Sequence, residues 1–112
     1  MDILKINRFD VYLVNLDPAI GAEIKKTRPA VIISPDSMNF SRLQTIIIAP
    51  LTSTIRASFP TRINTKFKDQ VGQIALDQLR VIDRARIVQK LGNIDKSTRN
   101  DILNILMIMF QP

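Results

Sequence analysis

Hydrophobic and polar positions divide the chain into short apolar runs separated by polar, proline-marked breaks. Phe9–Leu16 is rich in β-branched and aromatic residues and ends at Asp17-Pro18, which reads as a strand. Residues 17–28 are polar, contain Gly21 and read as a loop. Pro29–Ser34 is a second expected strand, stopped by Pro35-Asp36. Thr45–Thr52 is a third, in which Pro50 suggests an edge or a bulge. A weaker fourth covers Thr61–Asn64, and Gly72 is read as the turn before a fifth at Gln73–Leu79. Ile87–Leu91 forms a sixth, ending near Gly92. The period then changes. Ile102, Leu103, Leu106, Met109 and Phe110 recur at helical spacing, and Asp95 is placed to cap that helix. Met107, Met109 and Phe110 are expected in the core, with a share of them available to a partner. Several strands followed by one helix describe a mostly β, α+β domain.

Length and composition narrow the chemistry. The chain has 112 residues, the size of one domain, and no repeat or linker divides it, so residues 1–112 are expected to form a single domain. Cysteine and histidine are both absent. Disulfides, thiolate metal sites, imidazole bases and imidazole ligands are therefore excluded. Any chemistry rests on carboxylates, hydroxyls, Lys, Arg, Tyr or backbone groups. With 16 Lys+Arg against 10 Asp+Glu, the net charge is +6, which attracts polyanions or simply keeps the protein soluble. The basic residues recur along the chain rather than forming a block, which suits a folded face. No signal peptide and no bilayer-length apolar run is visible, so a cytoplasmic protein with no membrane association is expected.

Three stretches carry candidate chemistry. The first is Gly21–Pro29, which contains Glu23 (the only glutamate), Lys25, Lys26 and Arg28. Arg28 offers a planar fork that suits a phosphate. Taken alone, these residues are equally a solvated loop and a surface strand start. The second is Pro50–Thr54, where Thr52 can donate to a phosphate oxygen, although Ser and Thr are also ordinary turn residues. The third runs from Leu76 to Arg86. Strand alternation puts Gln78 on the inner face, where it must be hydrogen-bonded, and Asp83 and Arg86 are spaced to pair with each other. No phosphate loop, carboxylate cluster or nucleophile–base arrangement is present in the sequence, and one tyrosine with no tryptophan leaves little for base stacking.

In order and spacing these pieces resemble the MazF/PemK toxin family. The residues that carry the resemblance are Arg8-Phe9-Asp10-Val11, Leu16-Asp17-Pro18, Gly21-Ala22-Glu23, Arg28-Pro29-Ala30-Val31-Ile32, Pro50-Leu51-Thr52, and Asp77 through Asp83 followed by Arg86. They extend over almost the whole chain. The resemblance implies an SH3-like barrel of the CcdB/PemK type with a C-terminal helix. It also implies a homodimer, a cognate antitoxin and cleavage of single-stranded RNA at short sequences without metal or cofactor. In such cleavage the ribose 2′-hydroxyl attacks the adjacent phosphate and leaves 2′,3′-cyclic phosphate and 5′-hydroxyl ends. By motif match Arg28 binds the phosphate and stabilises the transition state, Thr52 is its hydroxyl partner, and Glu23 matches a glutamate proposed as general base. Lys25, Lys26, Ser53, Asp77 and Gln78 are the matching substrate-binding candidates. Phe9, Lys25 and Lys26 depart from glycine or small residues common in the family, and Ala75 stands where some relatives have arginine. Two other readings share the fold: a gyrase poison like CcdB, whose C-terminal tryptophan is missing here, and a barrel that binds nucleic acid without cutting it.

Overall fold

The computed structural model describes residues 5–112. Seven strands form one strongly curled antiparallel sheet, followed by a helix. In chain order the elements are β1 (Asp10–Asn15), β2 (Thr27–Ile32), a one-turn helix α1 (Asp36–Asn39), β3 (Thr45–Thr52), β4 (Arg62–Phe67), β5 (Gln70–Ala75), β6 (Arg80–Asp83), β7 (Ile87–Asn93) and α2 (Lys96–Phe110). The sheet order is β4-β5-β3-β2-β1-β7, and β6 pairs with β3 beside β5. Register shifts between Val11 and Tyr12 and between Leu13 and Val14 leave Leu91 and Val88 as extra residues on β7 and help the sheet to curl. The half-barrel with a C-terminal helix is the fold class the sequence implies.

The central strands are apolar on both faces because both faces are covered. Tyr12, Val14, Ala30, Ile32, Ile46 and Ile48 point to one core, closed by Ile6 and Ile82. Val11, Val31, Ala49 and Ile74 point to a second core, closed by Ile94 and by Ile102 of α2. Alternation sends neighbouring residues of each strand to opposite cores. Asp95 caps α2 as expected, accepting from the backbone N–H and the hydroxyl of Thr98. Hydrogen bonds from Thr98 and Ser97 hold its pKa down to about 2.

Several sequence expectations are corrected. β3 is not an edge strand, since it lies between β2 on one side and β5 and β6 on the other. Pro50 falls between Ile48, the last partner of β6, and Leu51, the first partner of β5, so its missing N–H interrupts neither ladder. β2 begins earlier than expected, with Thr27 opposite Asn15 and Arg28 opposite Val14. Gly72 lies inside β5, and the turn is made by Lys68 and Asp69, both at positive φ. A Cβ on Gly72 would sit 2.6 Å from the Thr52 carbonyl oxygen, so the glycine serves close backbone approach rather than a bend. The fifth strand ends at Ala75, and Leu76–Gln78 form a 3₁₀ turn. Asp83 and Arg86 do not pair. Asp83 caps a second 3₁₀ turn through the Ala85 N–H, and Arg86 donates to the carbonyls of Asn15 and Asp17. On α2 only Met109 of the expected cluster packs on the core, while Met107 and Phe110 are about 70% exposed (69% and 71%). No helix among the described residues is long and apolar enough to cross a membrane.

Candidate functional site

β2 and β3 lie side by side, with Ala30 opposite Pro50 and Val31 opposite Ala49. This pairing brings the start of β2 next to the end of β3. Arg28 and Thr52, far apart in sequence, therefore line the same cleft, of about 210 Å³. Glu23, Lys25 and Gln78 line it as well, and so do Thr54, Arg56 and Arg62.

Backbone contacts aim the central pair. The Arg28 Nε–H donates to the Lys25 carbonyl at 2.8 Å, which fixes the plane of the guanidinium and leaves both terminal nitrogens for a ligand. Thr52 is buried to 9% exposure, and its Oγ1 accepts the Thr54 N–H at 3.1 Å. That bond uses an oxygen lone pair, so the hydroxyl proton is available to donate outward. An arginine fork beside a hydroxyl donor matches the oxygens of a phosphodiester.

Glu23 and Gln78 organise the 17–26 loop. The Glu23 Oε1 accepts the Ile20 N–H at 2.6 Å. Gln78 receives the Ile24 N–H on its Oε1 at 2.6 Å and donates from Nε2 to the Ala22 carbonyl at 3.0 Å. Its amide thus does for the loop what a neighbouring strand would do. Gln78 is half-buried and hydrogen-bonded, as the sequence requires, but it reaches that position from a 3₁₀ turn and not from strand alternation.

Other expected site residues fall elsewhere. Lys26 lies where the hairpin closes, at positive φ, its N–H donating to Asp17 and its carbonyl accepting from Leu16. It is outside the lining of the cleft. Ser53 borders a second, smaller cavity on the other side of Arg28 and Thr52, together with Leu51, Phe67 and Gly72. Asp77 is engaged by Arg62 in a two-point ion pair of 2.6 and 3.0 Å and accepts from the Thr61 hydroxyl. The Arg62 bonds hold the Asp77 carboxyl below its usual range. Tyr12, the only tyrosine, is fully buried, so its hydroxyl is unavailable to the cleft. Arg56 and Arg62 were not singled out by the sequence. Both are brought in by the β3–β4 connection, whose path no local motif reveals.

Fold and cleft together define a small curled-sheet protein with a pocket lined by Lys25, Arg28, Arg56 and Arg62 against the single carboxylate of Glu23. The model for PemK-like, MazF-like toxins of type II toxin-antitoxin systems matches residues 7–110, and the chain belongs to that family. It is 36% identical over 108 residues to the endoribonuclease MazF of Staphylococcus epidermidis, a match that covers 92% of this chain and 89% of the relative. Among solved structures, MazF from Deinococcus radiodurans superposes with a TM-score of 0.78 at 21% identity, covering 96% of this chain and 97% of that one. A mycobacterial endoribonuclease solved with its cognate antitoxin gives 0.77 at 22% identity, covering the same shares of both chains. These two solved structures agree in fold.

Proposed function

We propose that the protein is an endoribonuclease toxin that cuts single-stranded RNA with its own side chains. The observation that carries this reading is the convergence of Arg28 and Thr52 on one cleft, each held by backbone with its donors left free. In the reaction, the 2′-hydroxyl attacks the adjacent phosphorus and the bond to the 5′-oxygen breaks. The 2′-hydroxyl proton passes to the Glu23 carboxylate, and the departing 5′-oxygen takes a proton from solvent. Arg28 and Thr52 stabilise the charge that builds on the non-bridging oxygens, a contribution of several kcal/mol in a sheltered site. Lys25 adds positive charge at the rim, and Gln78 keeps the Glu23 loop in place. The working form is a homodimer in the cytoplasm, held in check by a cognate antitoxin that presents acidic groups to the cleft.

The test is incubation of the purified protein with a mixed RNA pool in excess EDTA, followed by mapping of the new ends. Discrete cuts with 5′-hydroxyl ends are expected, and Arg28→Ala or Thr52→Val should reduce them by 100-fold or more (roughly the loss seen when one transition-state donor is removed). Undiminished cutting by a folded Arg28→Ala protein would remove Arg28 from the mechanism. RNA left intact by the wild type, with gyrase trapped on DNA instead, would replace the reading with that of a gyrase poison.

A further inference from the structure

The 53–61 connection between β3 and β4 is exposed over most of its length, yet one point on it is fixed from inside the protein. Gln73 of β5 is 2% exposed. Its backbone pairs with Thr52 on one side and Asn64 on the other. Its side-chain Oε1 accepts the Arg56 N–H at 3.0 Å, and its Nε2 donates to the Asn64 Oδ1 at 2.9 Å. A buried amide is tolerated only when its hydrogen bonds are made. Here one of those bonds holds the backbone of an exposed arginine at the rim of the Arg28–Thr52 cleft.

The two arginines that this connection and the start of β4 add to the cleft differ. Arg62 binds Asp77 through two nitrogens and its side chain is only 7% exposed, so its charge is already matched. Arg56 is exposed, and among the described residues its guanidinium makes no ion pair and no hydrogen bond. A single-stranded RNA seated with one phosphate on Arg28 and Thr52 has a further phosphate on either side. We propose that Arg56 binds one of these flanking phosphates, and that Gln73 is the positioning residue that aims it. The inference rests on the ribonuclease reading above and adds a contact to the same cleft.

The experiment measures binding of an RNA oligonucleotide blocked by 2′-O-methyl groups, by fluorescence anisotropy across a salt series. Each phosphate neutralised on a single strand contributes about 0.7 to the slope of log affinity against log salt. Arg56→Gln should lower the slope by that amount, and Arg56→Lys should keep it. Gln73→Met, which removes the amide and no charge, should also lower it. The double variant should match the single ones, because Gln73 acts through Arg56. Arg56 is exposed, so its replacement leaves the core intact, and it carries the test even if Gln73→Met lowers the melting temperature. An unchanged slope in Arg56→Gln, or additive losses in the double variant, would overturn the proposal. In both cases wild-type cutting of unblocked RNA shows whether the ribonuclease reading itself survives. A wild type that neither binds nor cuts RNA would overturn both.

Discussion

At the scale of single residues, the site depends on how closely two backbones approach. Gly72 gives β5 room to lie against the Thr52 carbonyl. Gly72→Ala would push a methyl group to 2.6 Å from that oxygen, and the contact is with backbone, which cannot rotate away. We expect a loss of about 1–3 kcal/mol, the usual cost of overpacking, measured by urea denaturation, together with weaker cleavage because Thr52 moves. A variant of wild-type stability and activity would show that β5 shifts freely. Arg28, Thr52 and Glu23 could be named as candidates from the sequence because each stands in an ordered set of short motifs, and the fold brings them to one cleft. Arg56 and Gln73 were not. The bond between them spans 17 residues and depends on the β3–β5 pairing, which leaves no local pattern.

At the scale of elements, β3 and α2 could be read directly. Thr45–Thr52 is an apolar run with both ends marked, and α2 combines helical spacing with an Asp cap. β5 was displaced because glycine is the usual sign of a turn, whereas the real turn uses Lys68 and Asp69. β6 was missed because it is only four residues long, with Val81 and Ile82 set between the charged Arg80 and Asp83, in a stretch that also carries the family motif. The cap yields a prediction. The Asp95 pKa is depressed in the folded state, so its contribution to stability is present above the ordinary carboxylate value near 4 and is lost as pH falls toward about 2. Asp77 is depressed as well, chiefly by its hydrogen bonds from Arg62, and contributes in the same direction. Asp95→Ala should cost about 1 kcal/mol at neutral pH and flatten the acid limb of a plot of melting temperature against pH. An acid limb as steep as that of the wild type would place the sensitivity elsewhere.

At the scale of the whole molecule, the net charge of +6 and the outer face of α2 are the two features that look outward. Met107, Ile108 and Phe110 are all more than 60% exposed (69%, 62% and 71%), a cluster of large apolar groups on the last turns of one helix. Such clusters mark contact surfaces. If the proposed homodimer uses this face, Phe110→Glu should give a monomer by analytical ultracentrifugation while leaving the circular dichroism spectrum unchanged. A variant that stays dimeric would assign the contact to another surface. The sequence marked the helix by the spacing of Ile102, Leu103, Leu106, Met109 and Phe110 and placed Met107 and Phe110 in the core, whereas the structure exposes both. The packing of α2 against β4 and the second core turns Ile102, Ile105, Leu106 and Met109 inward.

The amide of Gln78 that holds Ile24 and Ala22 also sets a time order for synthesis. Arg28 and Thr52 leave the ribosome early, but the partners that hold their surroundings, Gln73 and Gln78, are translated only later. A nascent chain ending before residue 73 carries Arg28 and Thr52, the proposed phosphate-binding pair, on a backbone that β5 has not yet braced. Such a chain should be inert toward RNA. Under the proposed mechanism, the message that encodes the protein is read well past Arg28 and Thr52 before the product is able to attack any transcript, its own included.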